Sequence, residues 1–498
     1  MIPRTLRVLI VFAITLFTAA HVGSSNAYYE GSAGPYGIRV VIRTPGVVPG
    51  LAQITVRITE GIGVRHVTVR PVRSDAGLEG APPADTAVGV EGDANLYSAE
   101  LWLMRFGSYS VHVTVSGERG TGTAFVPVVA VAERRIAMSV PMAIGLVGAG
   151  LFLFVGVLTI FGAAARESVL PPGETPDAKR VRRGKVAMVG GGVVVALVMM
   201  GGMSWWNDLD AAYQRRIFQP LHTSARFAAA SGRIVLTLTI DDPAWLGRSW
   251  TPLIPDHGKL MHMFLVKDDD LAAFAHLHPV STDSNTFAVA FPRLPAGNYR
   301  VYADIVHESG FTQTLTNLVN LPPVLATQSL DLTVPPRDPD DSWTMTQPFG
   351  AASARATPLP SGRTITWERE DDSFVVDEDM TMRFVVRNAD GTPAALEPYL
   401  GMMSHAAVTL DDGSVFIHLH PAGTINMAAK ARFERVEGTA SEQAADSSMA
   451  MPRSGVEENV VTFPFAFPKS GSYRLWVQTK VAGEVETGVW DVEVTDRR

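Results

Sequence analysis

The chain contains no cysteine. That absence removes disulfides, zinc–thiolate clusters, blue-copper sites and thiol nucleophiles together. A bound metal would have to be held by His, Met, Asp or Glu. Charge is also scarce: Asp, Glu, Lys and Arg make up 18% of 498 residues, and the net formal charge is −8. No Lys/Arg-rich patch with interleaved aromatics occurs, which excludes nucleic acid as a partner. A serine nucleophile elbow, a phosphate-cradling glycine loop and a dinucleotide fingerprint are all missing.

What is present is apolar: 46% of residues are hydrophobic. A chain of this length predicts three or four units, and the apolar excess is concentrated in membrane segments. Residues 1–27 read as a secretory signal peptide. Arg4 and Arg7 open it, Val8–Ala20 is its apolar stretch, and Ser25-Asn26-Ala27 is its cleavage site. Residues 136–165 and 186–204 are each long enough to span a bilayer. Between them, residues 166–185 carry Arg166, Lys179, Arg180, Arg182, Arg183 and Lys185. By the positive-inside rule this loop is cytoplasmic, and both flanking regions lie outside the bacterial cytoplasmic membrane. Met138, Met142, Met199, Met200 and Met203 then fall near the outer leaflet, where methionine is ordinarily a packing residue.

Outside the spans, apolar and polar residues alternate over short runs separated by Gly, Pro, Asp and Asn, the pattern of antiparallel sheets. One motif occurs three times, as Gly107-Ser108-Tyr109, Gly297-Asn298-Tyr299 and Gly471-Ser472-Tyr473. A tyrosine just ahead of a late strand is the mark of the tyrosine corner in immunoglobulin-like sandwiches. The fold expected is therefore mainly β: three immunoglobulin-like β-sandwich domains, at 28–133, 207–335 and 345–498, plus two transmembrane helices. Phe291-Pro292 and Phe467-Pro468 precede the motif in the last two, so these two are read as a duplication. Pro335–Thr357 is the expected linker, and 436–459, with Met449 and Met451, an expected mobile loop.

Six of the twelve histidines form two matching sets. The first is Met261-His262 followed by His276-Leu277-His278-Pro279. The second is Met403-Ser404-His405 followed by His418-Leu419-His420-Pro421. Residues two apart on a strand share a face, so each His-x-His pair projects together, and a hairpin at the intervening acidic turn adds the lone histidine. Three imidazoles on one sheet surface suit Cu(II) or Zn, and thioethers favour Cu(I). The candidate ligands are His262, His276, His278, His405, His418 and His420, with Met261 and Met403 beside them. His307, on the strand after Tyr299 with Asp304, would complete the first site. The third domain has Gln478 and Lys480 thereabouts. His257 sits in a Pro-Asp-His-Gly loop and is left out of the set. The plain alternative is half-buried strand histidines bonded to backbone carbonyls; two matching sets in one chain favour a metal.

At these residues the chain resembles bacterial envelope heavy-metal- or copper-binding proteins with a Met-His … His-Leu-His-Pro repeat. More loosely it is similar to the YtkA-like and CopC-like immunoglobulin-type domains. The resemblance covers about 250–320 and 395–480. The CopC-like pattern uses a mature N-terminal histidine as ligand, whereas Tyr28 stands at that point here, so no site is carried to the first domain and His66 and His112 are taken as structural. The resemblance implies an extracytoplasmic protein of copper homeostasis. The expected function is thus membrane-anchored binding of copper, with zinc as the alternative ion, by a non-enzyme. The expected partners are the metal ion and the membrane, with a copper transporter or chaperone as candidate protein partner. A structural adaptor binding a partner through its sandwiches is the second reading, and a metal-dependent enzyme the third. No Glu or Asp lies at a fixed offset from either histidine set to act as a base, and no cupin-type glutamate follows either His-x-His.

Overall fold

The computed structural model describes residues 26–136, 138–230, 232–327, 338–351, 354–369, 372–437 and 458–497. Nearly all of the expected signal peptide, together with Met449 and Met451, lies outside the described residues. The chain divides into two compact units, one of residues 1–131 and 219–498, the other of residues 132–218.

The smaller unit is a pair of helices, Val140–Glu167 and Ala178–Gln214, both long and apolar enough to cross a membrane. They pack through small residues. A Cβ on Gly184 would meet the Gly162 carbonyl oxygen at 3.0 Å, and one on Gly191 would meet the Phe161 ring at 2.7 Å. The second helix begins eight residues before the expected span, inside the basic loop. Asp177 caps it by accepting from the Arg180 backbone N–H, and the Lys/Arg run that follows has good helix propensity. Its other end runs past the expected domain boundary at 207.

The larger unit holds three sandwiches, each of one four-stranded and one five-stranded sheet. In the first, Ala27–Ala33 opens the five-stranded sheet, so Ala27 itself is already paired, with Ile42. In the second, the five-stranded sheet runs Thr312–Leu321, Gly297–Val306, His262–Lys267, Ala273–Leu277, Ser342–Met345. Its last strand comes from the expected linker: Ser342–Met345 pairs with Ala273–His276 and caps the free edge beside the histidine strand. In the third, the matching order is Phe374–Val375, Glu484–Thr495, Gly471–Val481, Ser404–Leu410, Phe416–Leu419. A ten-residue helix, Met427–Val436, follows the histidine strand where no helix was expected; Asn426 caps it by accepting from the Ala429 N–H.

The three tyrosine corners are present. Tyr109, Tyr299 and Tyr473 each donate a hydroxyl hydrogen bond to the carbonyl four residues back, on Arg105 (3.0 Å), Pro295 (2.7 Å) and Lys469 (2.9 Å). The glycine two residues ahead takes nearly the same positive φ in all three, 135°, 138° and 133°, which a side chain would strain.

The second and third sandwiches face each other through their five-stranded sheets. The strands His262–Lys267 and Gly471–Val481 are buried on both faces over most of their length. One face enters its own core, with Met263 and Leu265 in the second sandwich and Leu475 and Val477 in the third. The other joins a shared layer of Phe264, Val266, Phe274, Tyr302, Phe416 and Trp476. There Tyr302 stacks on Phe416 at 4.1 Å and Phe274 on Trp476 at 4.7 Å. Arg474, fully buried and paired with Asp491, crosses the joint to the carbonyls of Leu271 (2.9 Å) and Gln347 (3.0 Å).

Candidate metal centre

The hairpins form as the spacing requires. His262–Lys267 pairs antiparallel with Ala273–Leu277, and Ser404–Leu410 with Phe416–Leu419. Ile417 and Leu419 turn into the third core, so His418 and His420 turn outward. Outward here is toward the other sandwich. The two expected three-histidine sets therefore face each other and merge into one buried cluster. Across the joint, ring centroids lie 5.6 Å apart for His262 and His418, 5.6 Å for His276 and His418, and 6.1 Å for His276 and His405. The two sets thus adjoin across the joint, although the first still draws all three of its histidines from the second sandwich.

The nitrogens of the first set are organised. His262 Nε2 faces the Asp256 backbone oxygen at 3.1 Å. His276 Nδ1 faces Gln478 Oε1 at 3.0 Å, whose amide nitrogen is committed to Ser342 Oγ. The other contact of His276 Nδ1, Tyr399 Oη at 3.3 Å, donates its own proton to the Asp340 carbonyl. His278 Nδ1 faces Asp341 Oδ1 at 3.0 Å. All of these partners accept, so the outer nitrogen of each imidazole carries a proton; in His262 and His276, which burial holds well below the usual histidine range, the inner nitrogen is a bare lone pair. His262 Nδ1 and His276 Nε2 then point lone pairs at each other across 3.2 Å. His278 Nε2 is buried with no partner. The three converge: one ligand atom from each lies within 4.8 Å of the others.

The second triad is not the one expected. Its ligand atoms come from His405, His420 and His257, again within 4.8 Å of one another. His418 stands beside it, its Nδ1 3.3 Å from Asp304 Oδ2 and its Nε2 buried without a partner. A pseudo-twofold relation explains the wiring. Asp304 lies opposite His262 in the ladder and Gln478 opposite His405, and each reaches across to the first histidine of the other domain's pair. Burial, then neighbouring imidazoles, holds His262, His276, His405 and His420 well below the usual histidine range; burial lowers His257 also. These rings are neutral, the state that binds metal. A third group, His278 with Asp338 and Asp341, also converges within 4.8 Å.

Three candidates fall elsewhere. Met261 is fully buried in the core of its own sandwich, because it neighbours His262 and so points to the opposite face. Met403 packs against the core of the third sandwich. His307 does not complete the first site: its Nδ1 donates to the Thr251 carbonyl at 2.9 Å, its Nε2 accepts from Gln313 at 2.7 Å, and its ring stacks on Trp250. It is a satisfied structural histidine. His257, noted in its loop but left out of the expected set, belongs to the second triad, and the turn bearing it is repeated. Pro255-Asp256-His257-Gly258 and Pro398-Tyr399-Leu400-Gly401 both end four residues before their lone histidine. His257 and Leu400 share a φ near +50°, at 50° and 52°.

A family model described as a domain of unknown function (DUF8832) matches residues 223–321 and 359–496, the segments that fold as the second and third sandwiches. None of the curated proteins compared with the chain matches it. Among solved structures, the chain is similar to the native conformation of E. coli alpha-2-macroglobulin, at 7% identity and TM-score 0.18. That match covers 95% of this chain, which spans only 23% of the other. It is also similar to the chicken CNTN1 FN1–FN3 domains, at 9% identity and TM-score 0.13, covering 91% of this chain and 97% of that one. The ICAM-5 D1–D4 ectodomain fragment matches at 10% identity and TM-score 0.14, covering 93% and 77%.

Proposed function

We propose that this protein is a membrane-anchored, extracytoplasmic metal-binding protein, and that copper is its ion. The carrying observation is the 3.2 Å approach of His262 Nδ1 to His276 Nε2 with both outer nitrogens held by acceptors. Two neutral lone pairs so placed repel unless a cation sits between them. Ligand nitrogens at 2.0–2.1 Å from a tetrahedral ion are about 3.3 Å apart, which is the spacing found. His278 Nε2 supplies the third ligand, and the oxygen behind each ring is the outer support that metal-bound imidazoles ordinarily have.

Imidazole-only ligation supports Cu(II) or Zn(II), with copper favoured by intrinsic affinity; the inward-turned methionines withdraw the thioether argument for Cu(I). His262, His276 and His278 are at most 3% exposed, which favours holding an ion over presenting it to a substrate. The basic segment Lys179–Lys185 supports a cytoplasmic loop between the helices, with every sandwich outside. The resemblance to copper-binding envelope repeats points the same way, toward copper homeostasis with a transporter or chaperone as partner.

The test is metal analysis of the full chain, purified in detergent, stripped with chelator and offered Cu(II) or Zn(II). Stoichiometric uptake that survives gel filtration and is reduced by His276→Ala is expected. Failure to retain either metal would defeat the proposal.

A further inference from the structure

We propose that the cluster holds a second divalent ion, of the same imidazole-preferring class, bound by His257, His405 and His420 and bridging the two sandwiches. This rests on the metal-binding reading above but on a different set of atoms. Of the six ring nitrogens in the triad, both on His257, both on His405 and Nε2 of His420 are buried without a hydrogen-bond partner. Only His420 Nδ1 has one, donating to the Ile425 carbonyl at 3.3 Å. Each buried polar atom left unsatisfied destabilises a fold, and five together in one spot would be a heavy burden on a fold that gained nothing from them. His405 and His420 are at most 2% exposed. Their ligand atoms and that of His257 lie within 4.8 Å of one another, the reach of one ion after small ring rotations.

The two positions share no ligand. His257 is 6.2 Å from His262 by ring centroid, and His405 is 6.1 Å from His276. Charge is provided for as well. Asp256 lies 3.7 Å from His257 Nε2, Asp304 3.3 Å from His418 Nδ1 and Asp341 3.0 Å from His278 Nδ1, so three carboxylates ring the imidazoles. The ligands are split across the joint, since His257 belongs to the second sandwich and His405 and His420 to the third. The second ion is therefore also a clamp between repeats, whereas the first is bound by the second sandwich alone.

The experiment is a copper(II) count per full-length chain in detergent, after chelator stripping, with circular dichroism on each variant. Two ions are expected in the parent and one in both His405→Ala and His257→Asn. The second variant guards against misfolding, because asparagine tolerates the positive φ at that turn. Two anomalous-scattering peaks in copper-loaded crystals would agree. A parent that binds one ion, retained in His405→Ala and His257→Asn but lost in His276→Ala, overturns the second site and leaves the first standing. A parent that binds none overturns both.

Discussion

At the scale of single residues, the centre depends on which way each ring presents its proton. Gln478 fixes His276 by accepting from its Nδ1, so Gln478→Leu should weaken metal binding about 10–100-fold while the ligands stay in place. Competition against a chelator of known affinity reads this, and Gln478→Glu, which keeps an acceptor, should restore most of it. A different histidine reports on acid stability. His112, edge-on to Phe125 in the first sandwich, is pushed down to about 4 by burial and by Arg70. The unfolded chain takes up that proton near 6.5, the folded chain only near 4, so its contribution is intact above the upper value and drains away between the two. Urea midpoints at neutral pH and at about pH 4.5 should therefore differ less in His112→Leu than in the parent. Much at this scale was legible: the period of two put each His-x-His pair on one face. The same rule, applied to Met261 beside His262, would have placed that thioether on the wrong side. His257 was left out because its turn lies outside any strand, where alternation says nothing; comparison with the turn Pro398–Gly401 is the signal that argues for it.

At the scale of elements, the strands were readable but their second partner was not. Met261–Val266 and Leu475–Val477 are nearly continuous apolar runs, and a strand apolar on both faces is one that is covered on both. Alternation around the histidines drew attention to one face and left Phe264, Tyr302 and Trp476 without an explanation, which the opposing sheet provides. Trp476→Ala should remove a fully buried ring from that layer and cost about 3–5 kcal/mol, seen as a lowered Tm of the metal-free protein. Tyr473→Phe deletes only the corner hydrogen bond to Lys469, and a loss of about 1 kcal/mol is expected. Sequence patterning also stopped short at helix ends. The apolar run marks what crosses lipid, while the helix Ala178–Gln214 continues through residues that favour helix without being apolar.

At the scale of the whole molecule, the absence of cysteine becomes an experimental convenience. Single cysteines at exposed positions, Thr175→Cys in the basic loop and Ser284→Cys in the second sandwich, can be labelled without background. With intact cells whose outer barrier is permeabilised, an impermeant maleimide should modify the second and spare the first until the inner membrane is opened. Equal labelling of both would refute the proposed orientation.

The first sandwich also reaches the centre. Tyr28 and Glu30 hold the stretch just after His420: the Thr424 N–H donates to the Tyr28 carbonyl, the Tyr28 N–H to Thr424 Oγ1, and the Glu30 N–H to the Ala422 carbonyl. Tyr28 and Thr424 are 396 positions apart. Ribosomal order then governs when the centre can exist. The gripping strand is made hundreds of residues before the stretch it grips, and a chain interrupted anywhere between leaves its earlier imidazoles open to water.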